Sequence, residues 1–120
     1  ANSRKAALST LEGEDLAGYE REIATRSATD HMLRARGVTV RYKGEYDNIE
    51  TIKRAVEIGQ GVAIVPLPAI RHEVEHGTIK LVRLTDEGLV RPLGIVHKRG
   101  RQLSPAAVKF VETLNREDIE

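Results

Sequence analysis

The stretch from residue 61 to residue 66 reads Gly61-Val-Ala-Ile-Val-Pro66, and it decides the class of fold. A short, continuous apolar run between a glycine and a proline is typical of a strand that is buried on both faces. Before this run, apolar residues repeat at helical spacing from Ile49 to Val56, and Gly59 follows as a helix stop. After it, Pro68 can occupy the first turn of a second helix, which is predicted to end at Gly77. A helix on either side of a buried strand predicts an α/β domain.

The same alternation extends outward from this centre. Ser27-Ala-Thr-Asp30 has the spacing of a capping box and predicts the start of a helix of about nine residues. Asp47 and Asn48 offer a second helix cap, before Ile49. Residues 1–15 are polar and small, which predicts an irregular segment. Strands are predicted at residues 38–42, 79–84 and 90–98, the last with an irregular or edge start at Pro92, and a final helix carries Ala107, Phe110, Val111 and Leu114. The order predicts a largely parallel sheet.

Composition excludes several classes of protein. The chain has 120 residues, a net charge of +1 and no cysteine, so it holds one domain or part of one, without disulfides, thiol catalysis or cysteine-bound metals. Residues 1–60 carry ten basic and ten acidic side chains, and residues 61–120 carry nine and eight. This balance disfavours nucleic-acid binding by the chain itself. No apolar run predicts a membrane span or a signal peptide, so we expect a cytoplasmic protein.

Two groups of residues are candidates for ligand binding. Arg21, Arg26 and Ser27 precede or begin a predicted helix, where free N–H groups and the helix dipole favour a carboxylate or phosphate. Because acidic residues flank Arg21, a solvated loop of mixed charge explains the same pattern. The second group follows the buried strand, at the carboxyl end where open α/β sheets place ligands. It consists of Val65, Pro66 and Leu67, for which simple loop packing is the alternative.

His72-Glu-Val-Glu-His76 matches the zinc-hydrolase pattern H-E-x-x-H, in which two histidines one helical turn apart bind the metal. A catalytic zinc also needs a third protein ligand, whereas this helix is predicted to end at Gly77 and no further histidine follows in a matching motif. A polar helix end, at which histidines interact with the carbonyl dipoles, explains the residues more simply. We therefore predict no metal site here.

A longer stretch carries a family resemblance. Tyr46-Asp-Asn-Ile-Glu-Thr-Ile-Lys-Arg-Ala-Val-Glu-Ile-Gly-Gln-Gly-Val-Ala-Ile-Val-Pro66 resembles the effector-binding region of LysR-type transcriptional regulators. In this family, the corresponding stretch has an acidic residue and an asparagine at the start of a helix, followed by a valine, G-x-G, three apolar residues and a proline. Further segments resemble the family in the same order: Leu11 to Leu16, Glu73 to Leu81, Arg91 to Gly100, and Leu103 to Ala107 with Phe110. Together these segments cover nearly the whole chain.

The resemblance implies an α/β fold similar to type 2 periplasmic binding proteins, in which two hinged lobes enclose a small effector. On this mapping, residues 1–15 are a crossover segment and residues 16–85 are the second lobe. Residues 86–120 then cross back and supply the C-terminal strand and helix of the first lobe. The family's helix-turn-helix domain and the opening of its first lobe match no part of this sequence.

The function that the resemblance implies is sensing and not catalysis. The loop from Arg21 to Ser27 and the strand end from Val65 to Leu67 would face an interlobe cleft that holds a small organic anion. The resemblance also implies a homo-oligomer that contacts DNA only through a helix-turn-helix domain absent from this chain, with no cofactor and no membrane. Two alternatives stay open: a fragment of a solute-binding protein of the same fold, and a zinc hydrolase through His72, Glu73 and His76.

Overall fold

The computed structural model describes residues 4–100. This part of the chain contains six strands, three α-helices and two short 3-10 helices. The strands are β1 (Arg4–Ala6), β2 (Asp15–Tyr19), β3 (Arg41–Tyr46), β4 (Ala63–Pro66), β5 (Ile79–Leu84) and β6 (Leu93–Lys98). The α-helices are α1 (Ala24–Ala35), α2 (Ile49–Glu57) and α3 (Arg71–His76), and the 3-10 helices are Leu8–Leu11 and Leu67–Ile70. The predicted C-terminal helix lies outside the described residues.

The strands form a four-stranded sheet in the order β1-β5-β6-β4 and a parallel pair of β2 with β3. A parallel bridge between Leu16 and Val62 joins the two, and the N–H of Ala17 donates to the carbonyl of Val62 over 2.8 Å. The strands therefore lie side by side in the order β3-β2-β4-β6-β5-β1. The predicted α/β alternation and the prediction of a largely parallel sheet are both confirmed, because five of the six described strands run in the same direction and β6 is antiparallel to its neighbours β4 and β5. Eight residues separate β5 from β6, which is too few for a parallel crossover.

Each face of the sheet has its own apolar core. Because neighbouring side chains on a strand point to opposite faces, Leu16 and Ile95 pack on the side of α1, whereas Ala17 and Val96 pack on the side of α2. Val65 lies in the second core and is fully buried. The apolar run that ends at Pro66 is therefore a buried strand between two helical layers, as the sequence predicts.

The N-terminal segment is more ordered than the sequence predicts. Residues 1–15 are expected to be irregular, but β1 pairs in parallel with β5, and the 3-10 helix buries Leu8 and Leu11 in the first core. The strand has only three residues, and the side chains of Arg4 and Lys5 are exposed. A strand of three residues is too short to show an alternating pattern in the sequence. Its order comes from the pairing with β5.

The first helix begins earlier than its predicted cap. Ser27 is expected at the helix start, but α1 begins at Ala24 with Ile23 at the cap position, and Ser27 is an exposed residue within the helix. The turn from Glu20 to Ile23, closed by the N–H of Ile23 on the carbonyl of Glu20, starts the helix directly after β2. By contrast, the second predicted cap is confirmed, because the side chain of Asn48 accepts a hydrogen bond from the N–H of Thr51.

Two strand boundaries also differ from prediction. The strand expected at residues 38–42 spans Arg41–Tyr46, because the N–H of Val38 still bonds to the carbonyl of Leu33 at the end of α1. The strand expected from residue 90 begins after Pro92 and is central, so the irregular start is confirmed and the edge position is wrong. β6 was expected beyond a lobe boundary at residue 86, yet it pairs with two strands from before that boundary. The division into lobes stays a prediction.

Candidate functional site

The carboxyl ends of three parallel neighbours, β3, β2 and β4, lie along one edge of the sheet. They end at Tyr46, Tyr19 and Pro66, and each is followed by a helix: α2, α1 and the 3-10 helix Leu67–Ile70. Open α/β sheets bind ligands outside the carboxyl ends of their strands, where the following helices present their N-termini. This edge is the candidate site.

The N-terminus of α1 has free hydrogen-bond donors at this edge. Its cap residue, Ile23, has no side chain that accepts a hydrogen bond, and its first turn contains no acidic residue. Among residues 4–100, the N–H groups of Ala24 and Thr25 have no hydrogen-bond acceptor. The neighbouring helix α2 differs, since Asn48 caps it and Glu50 lies in its first turn. The start of α1 therefore combines free N–H groups with a positive helix dipole, which favours an anion.

Arg26 is the centre of a charged cluster beside this helix start. Its Nε donates to Asp30 over 2.9 Å, and its Nη1 donates to the carbonyl of Tyr19 over 2.8 Å and to Glu45 over 2.6 Å. The guanidinium also stacks on the ring of Tyr42, with 3.4 Å between its carbon and the ring centroid. The cluster thus ties α1 to the ends of β2 and β3.

Burial and hydrogen bonding set the protonation states in this cluster. Burial lowers the pKa of Arg26, but the hydrogen bonds to Glu45 and Asp30 outweigh it, so the pKa lies above its ordinary value. Burial, together with the hydrogen bond to Asp30, raises the pKa of Tyr42 well above its ordinary value. At neutral pH, Tyr42 therefore stays protonated, and its hydroxyl donates a hydrogen bond to Asp30.

A cavity of about 20 Å³ opens beside the cluster. Its lining includes Gly18 and Tyr19 of β2, Arg26 and Thr29 of α1, and Tyr42 of β3. A side chain at residue 18 would collide with the Tyr42 ring, so glycine is what allows this ring to lie against β2. The cavity has room for about one water molecule and is too small for a metabolite.

The structure distributes the six predicted ligand residues unevenly. Arg21 and Ser27 are exposed, in the loop before α1 and on α1 itself, and Arg26 is buried next to them. At the end of β4, Pro66 and Leu67 are half-buried. Val65 is fully buried in the core, so only its backbone is near the edge. Their roles in binding stay predictions.

A second charged cluster holds the segment that follows β4. Lys53 of α2 is 8% exposed, and its Nζ donates to the carbonyl of Ala69 over 3.0 Å. The same Nζ pairs with Glu73 of α3 at 2.9 Å and with Glu50 at 3.0 Å. Burial alone would raise the pKa of Glu73, but the hydrogen bond from Lys53 outweighs it and the pKa is lowered. Lys53 therefore anchors the 3-10 helix and α3 to α2.

The arrangement around His72 and His76 does not resemble a catalytic metal site. Their exposed rings lie 4.1 Å apart, and Nδ1 of His76 bonds to the carbonyl of His72. Glu73, the general base of the zinc hypothesis, is instead paired with Lys53. Within the described range 4–100, no group of three or more potential ligands is placed to hold a metal ion.

Three residues of the Arg26 cluster are absent from the predicted ligand-binding residues: Asp30, Tyr42 and Glu45. The spacing of Arg26 and Asp30, four residues apart on a helix, is a signal that could have revealed their ion pair. Tyr42 and Glu45 have no such signal. They reach Arg26 only because β3 pairs in parallel with β2, in a register that places Glu45 opposite Gly18.

The fold and this edge define a ligand-binding α/β domain, and comparison with known proteins gives its family. Residues 1–118 match the family model described as the LysR substrate binding domain. The chain belongs to this family. The match confirms the resemblance seen in the sequence, together with a fold of the periplasmic-binding-protein type and a role as the effector-binding domain of a LysR-type regulator.

Similar proteins include several transcriptional regulators. The RuBisCO operon transcriptional regulator of Allochromatium vinosum is 36% identical over 114 residues, which cover 93% of this chain and 37% of that protein. The probable RuBisCO transcriptional regulator of Cyanophora paradoxa is 32% identical over 117 residues, or 91% of this chain and 36% of that protein. The chain therefore spans a little over a third of the length of these curated relatives.

A solved structure supports the fold. The regulatory domain of Synechocystis PCC6803 CcmR, in complex with 2-PG, superposes with a TM-score of 0.61 at 22% identity. The superposition covers 98% of this chain and 56% of that domain. In the part of the chain from residue 4 to residue 100, no helix is long and apolar enough to cross a membrane.

Proposed function

We propose that this chain binds a small organic anion at the carboxyl edge of β2, β3 and β4, as the sensing part of a LysR-type regulator. The observation that carries the proposal is the start of α1, where the N–H groups of Ala24 and Thr25 have no acceptor among residues 4–100. Arg26 lies in the same turn, and the exposed Arg21 lies in the preceding loop. Free N–H groups, a helix dipole and arginines together favour a carboxylate or phosphate.

The size of the edge cavity bears on how an effector binds. Because about 20 Å³ holds only a water molecule, the effector would lie across the edge, with its anionic group at α1 and its remainder in a cleft. The strand end at Val65, Pro66 and Leu67 forms the neighbouring part of the edge. A first lobe would supply the opposite wall of the cleft.

Sensing follows if the closed and open arrangements of the two lobes bind the effector differently. The differential affinity then limits how far the effector shifts their equilibrium. In the whole regulator, we propose that this shift changes the arrangement of subunits in a homo-oligomer, and that a separate helix-turn-helix domain contacts DNA. Such a protein would act in the cytoplasm. The regulator is not an enzyme in this proposal.

The first anion to test is 2-PG, because it is present in the complex of the CcmR regulatory domain. The protein encoded by the complete gene is mixed with 2-PG and with a panel of small carboxylates and phosphates, and its melting temperature is measured. An anion at a hundredfold excess over its dissociation constant is expected to stabilise the folded state by about 2.7 kcal/mol.

Two variants with the same change of charge test the place of binding. Arg21→Gln removes a cation from the loop before α1, and Arg83→Gln removes one from an exposed position on β5. The loss of a charge-assisted hydrogen bond is expected to weaken binding about tenfold in Arg21→Gln and to leave it unchanged in Arg83→Gln. If no anion of the panel raises the melting temperature of the wild type, the proposed function is contradicted.

A further inference from the structure

The contact between Arg26 and Glu45 joins a fixed cation to a carboxylate that can leave. Arg26 is 7% exposed and is held by Asp30, by the carbonyl of Tyr19 and by the ring of Tyr42. Glu45 is 43% exposed, and its 2.6 Å contact with Nη1 of Arg26 is the ion pair that the structure shows for it. Rotation of Glu45 into water would therefore leave the other contacts of Arg26 in place.

Asp30 is the more firmly held of the two carboxylates. One of its oxygens accepts from Nε of Arg26, and the other accepts from the hydroxyl of Tyr42. Its position four residues after Arg26 on α1 also holds it beside the guanidinium. An incoming anion would consequently replace Glu45 and not Asp30.

The charge of the cluster makes such a replacement necessary. Arg26 contributes one positive charge, and Asp30 and Glu45 contribute two negative charges, so the cluster has a formal charge of −1. An anion that approached α1 while Glu45 remained would meet like charge at close range. With Glu45 turned away, a singly charged anion would restore the same formal charge, and it could also reach the free N–H groups of Ala24 and Thr25.

Arg26 has a donor available for this exchange. Its hydrogen bonds to groups within residues 4–100 are made by Nε and Nη1, and none is made by Nη2. The residue also lines the edge cavity, together with Thr29 of the same helix. An anion with two oxygens could accept from Nη1, in place of Glu45, and from Nη2 at the same time.

We propose that Glu45 is an internal competitor that occupies the anion position on Arg26 until the effector's carboxylate or phosphate displaces it. This inference rests on the proposed function, since it names how the same site is regulated. Release of Glu45 would break the side-chain link between Arg26 of α1 and the end of β3, so binding would loosen one contact within the domain as it forms another. Glu45 also lowers the apparent affinity for the anion. The apparent association constant is the intrinsic constant multiplied by the fraction of molecules in which Glu45 has left Arg26.

The test is a titration of the protein with inorganic phosphate, followed by NMR of the backbone amides of Ala24 and Thr25 and of the Arg26 guanidinium. Sodium chloride at matched ionic strength is the reference for screening. The wild type is compared with Glu45→Gln, which keeps the shape of the side chain and removes its charge. Glu75→Gln makes the same change at an exposed position on α3.

Phosphate is expected to bind Glu45→Gln about tenfold more tightly than the wild type, and to bind Glu75→Gln with wild-type affinity. Glu45→Ala should change the affinity in the same direction. Equal affinity in Glu45→Gln and Glu75→Gln would overturn the competition and leave the proposed function standing. If phosphate causes no specific NMR shifts at Ala24, Thr25 or Arg26 in any of these proteins, the competition is also overturned. The thermal shifts with the panel of organic anions decide the proposed function separately.

Discussion

Lys53→Met is expected to lower the free energy of unfolding by about 3 kcal/mol, within the range for breaking a buried ion pair by removal of one partner. Methionine keeps most of the length of the lysine side chain but leaves Glu73, which is 16% exposed, without its cation. It also removes the hydrogen bond to the carbonyl of Ala69. Urea denaturation of both proteins at neutral pH measures the difference.

Two further variants separate the ion pair from general effects of the substitution. Lys80→Met makes the same change at an exposed position of β5, where a loss of no more than about 0.5 kcal/mol is expected. The double variant Lys53→Met with Glu73→Leu removes both charges and should recover much of the loss, because an apolar pair avoids the desolvated carboxylate. Equal losses for the substitutions of Lys53 and Lys80 would contradict the anchoring role.

The contribution of this pair should depend on pH in a defined direction. The pKa of Glu73 is lowered in the folded state, so its stabilisation is fully present above the ordinary value of 4.5 and is lost as the pH falls through the lower, folded value. The pKa of Lys53 is raised above 10.5, because the hydrogen bonds to Glu73 and Glu50 outweigh burial. Its contribution is present below 10.5 and is lost at more alkaline pH. The stability difference from Lys53→Met should therefore be largest between these limits.

Gly61→Ala is expected to destabilise the fold by about 3 kcal/mol, because both the backbone angle and the available space exclude a side chain. Gly61 has a φ of +114°, and a Cβ there would lie 2.8 Å from the carbonyl oxygen of Asp15 and 3.2 Å from the nitrogen of Ala17. Those two groups make the hydrogen bonds to Val62 that join β2 to β4. The substitution would therefore separate the strands whose ends form the site.

Gly13→Ala is the matched control for the backbone angle. Gly13 has a φ of +78°, but no atom lies within 4 Å of a Cβ added there. This substitution tests strain without crowding and should cost about 1 kcal/mol. Urea unfolding curves of both variants give the two values. Similar losses of stability at residues 13 and 61 would mean that crowding against β2 adds nothing to the loss at residue 61, and would contradict the prediction.

The parts of the fold that the sequence predicts well are those with strong local patterns. The apolar run that ends at Pro66 is β4, and Asn48 caps α2, because burial on both faces and helix capping each leave a recognisable set of residues. β1 has no such pattern, since two of its three residues are exposed. The spacing of Ser27 and Asp30 was misleading, because a turn after β2 starts α1 before this motif is reached.

The candidate site was predictable only in part. The sequence locates the end of β4 and places Arg26 near the start of a helix, although it puts the cap at Ser27 and not at Ile23. The partners of Arg26 depend on tertiary pairing, since Tyr42 and Glu45 approach it through the register of β3 on β2. The anchoring of α3 by Lys53 likewise joins residues from two helices. No local pattern encodes either contact.

The most direct test of the central claim is a crystal structure of the complete protein with the anion that gives the largest thermal shift in the panel. We expect the anionic group within hydrogen-bond distance of the N–H groups of Ala24 and Thr25, at the carboxyl edge of β2 and β4, with Glu45 turned away from Arg26. An anion bound elsewhere, with the start of α1 and the contact between Arg26 and Glu45 unchanged, would contradict the account.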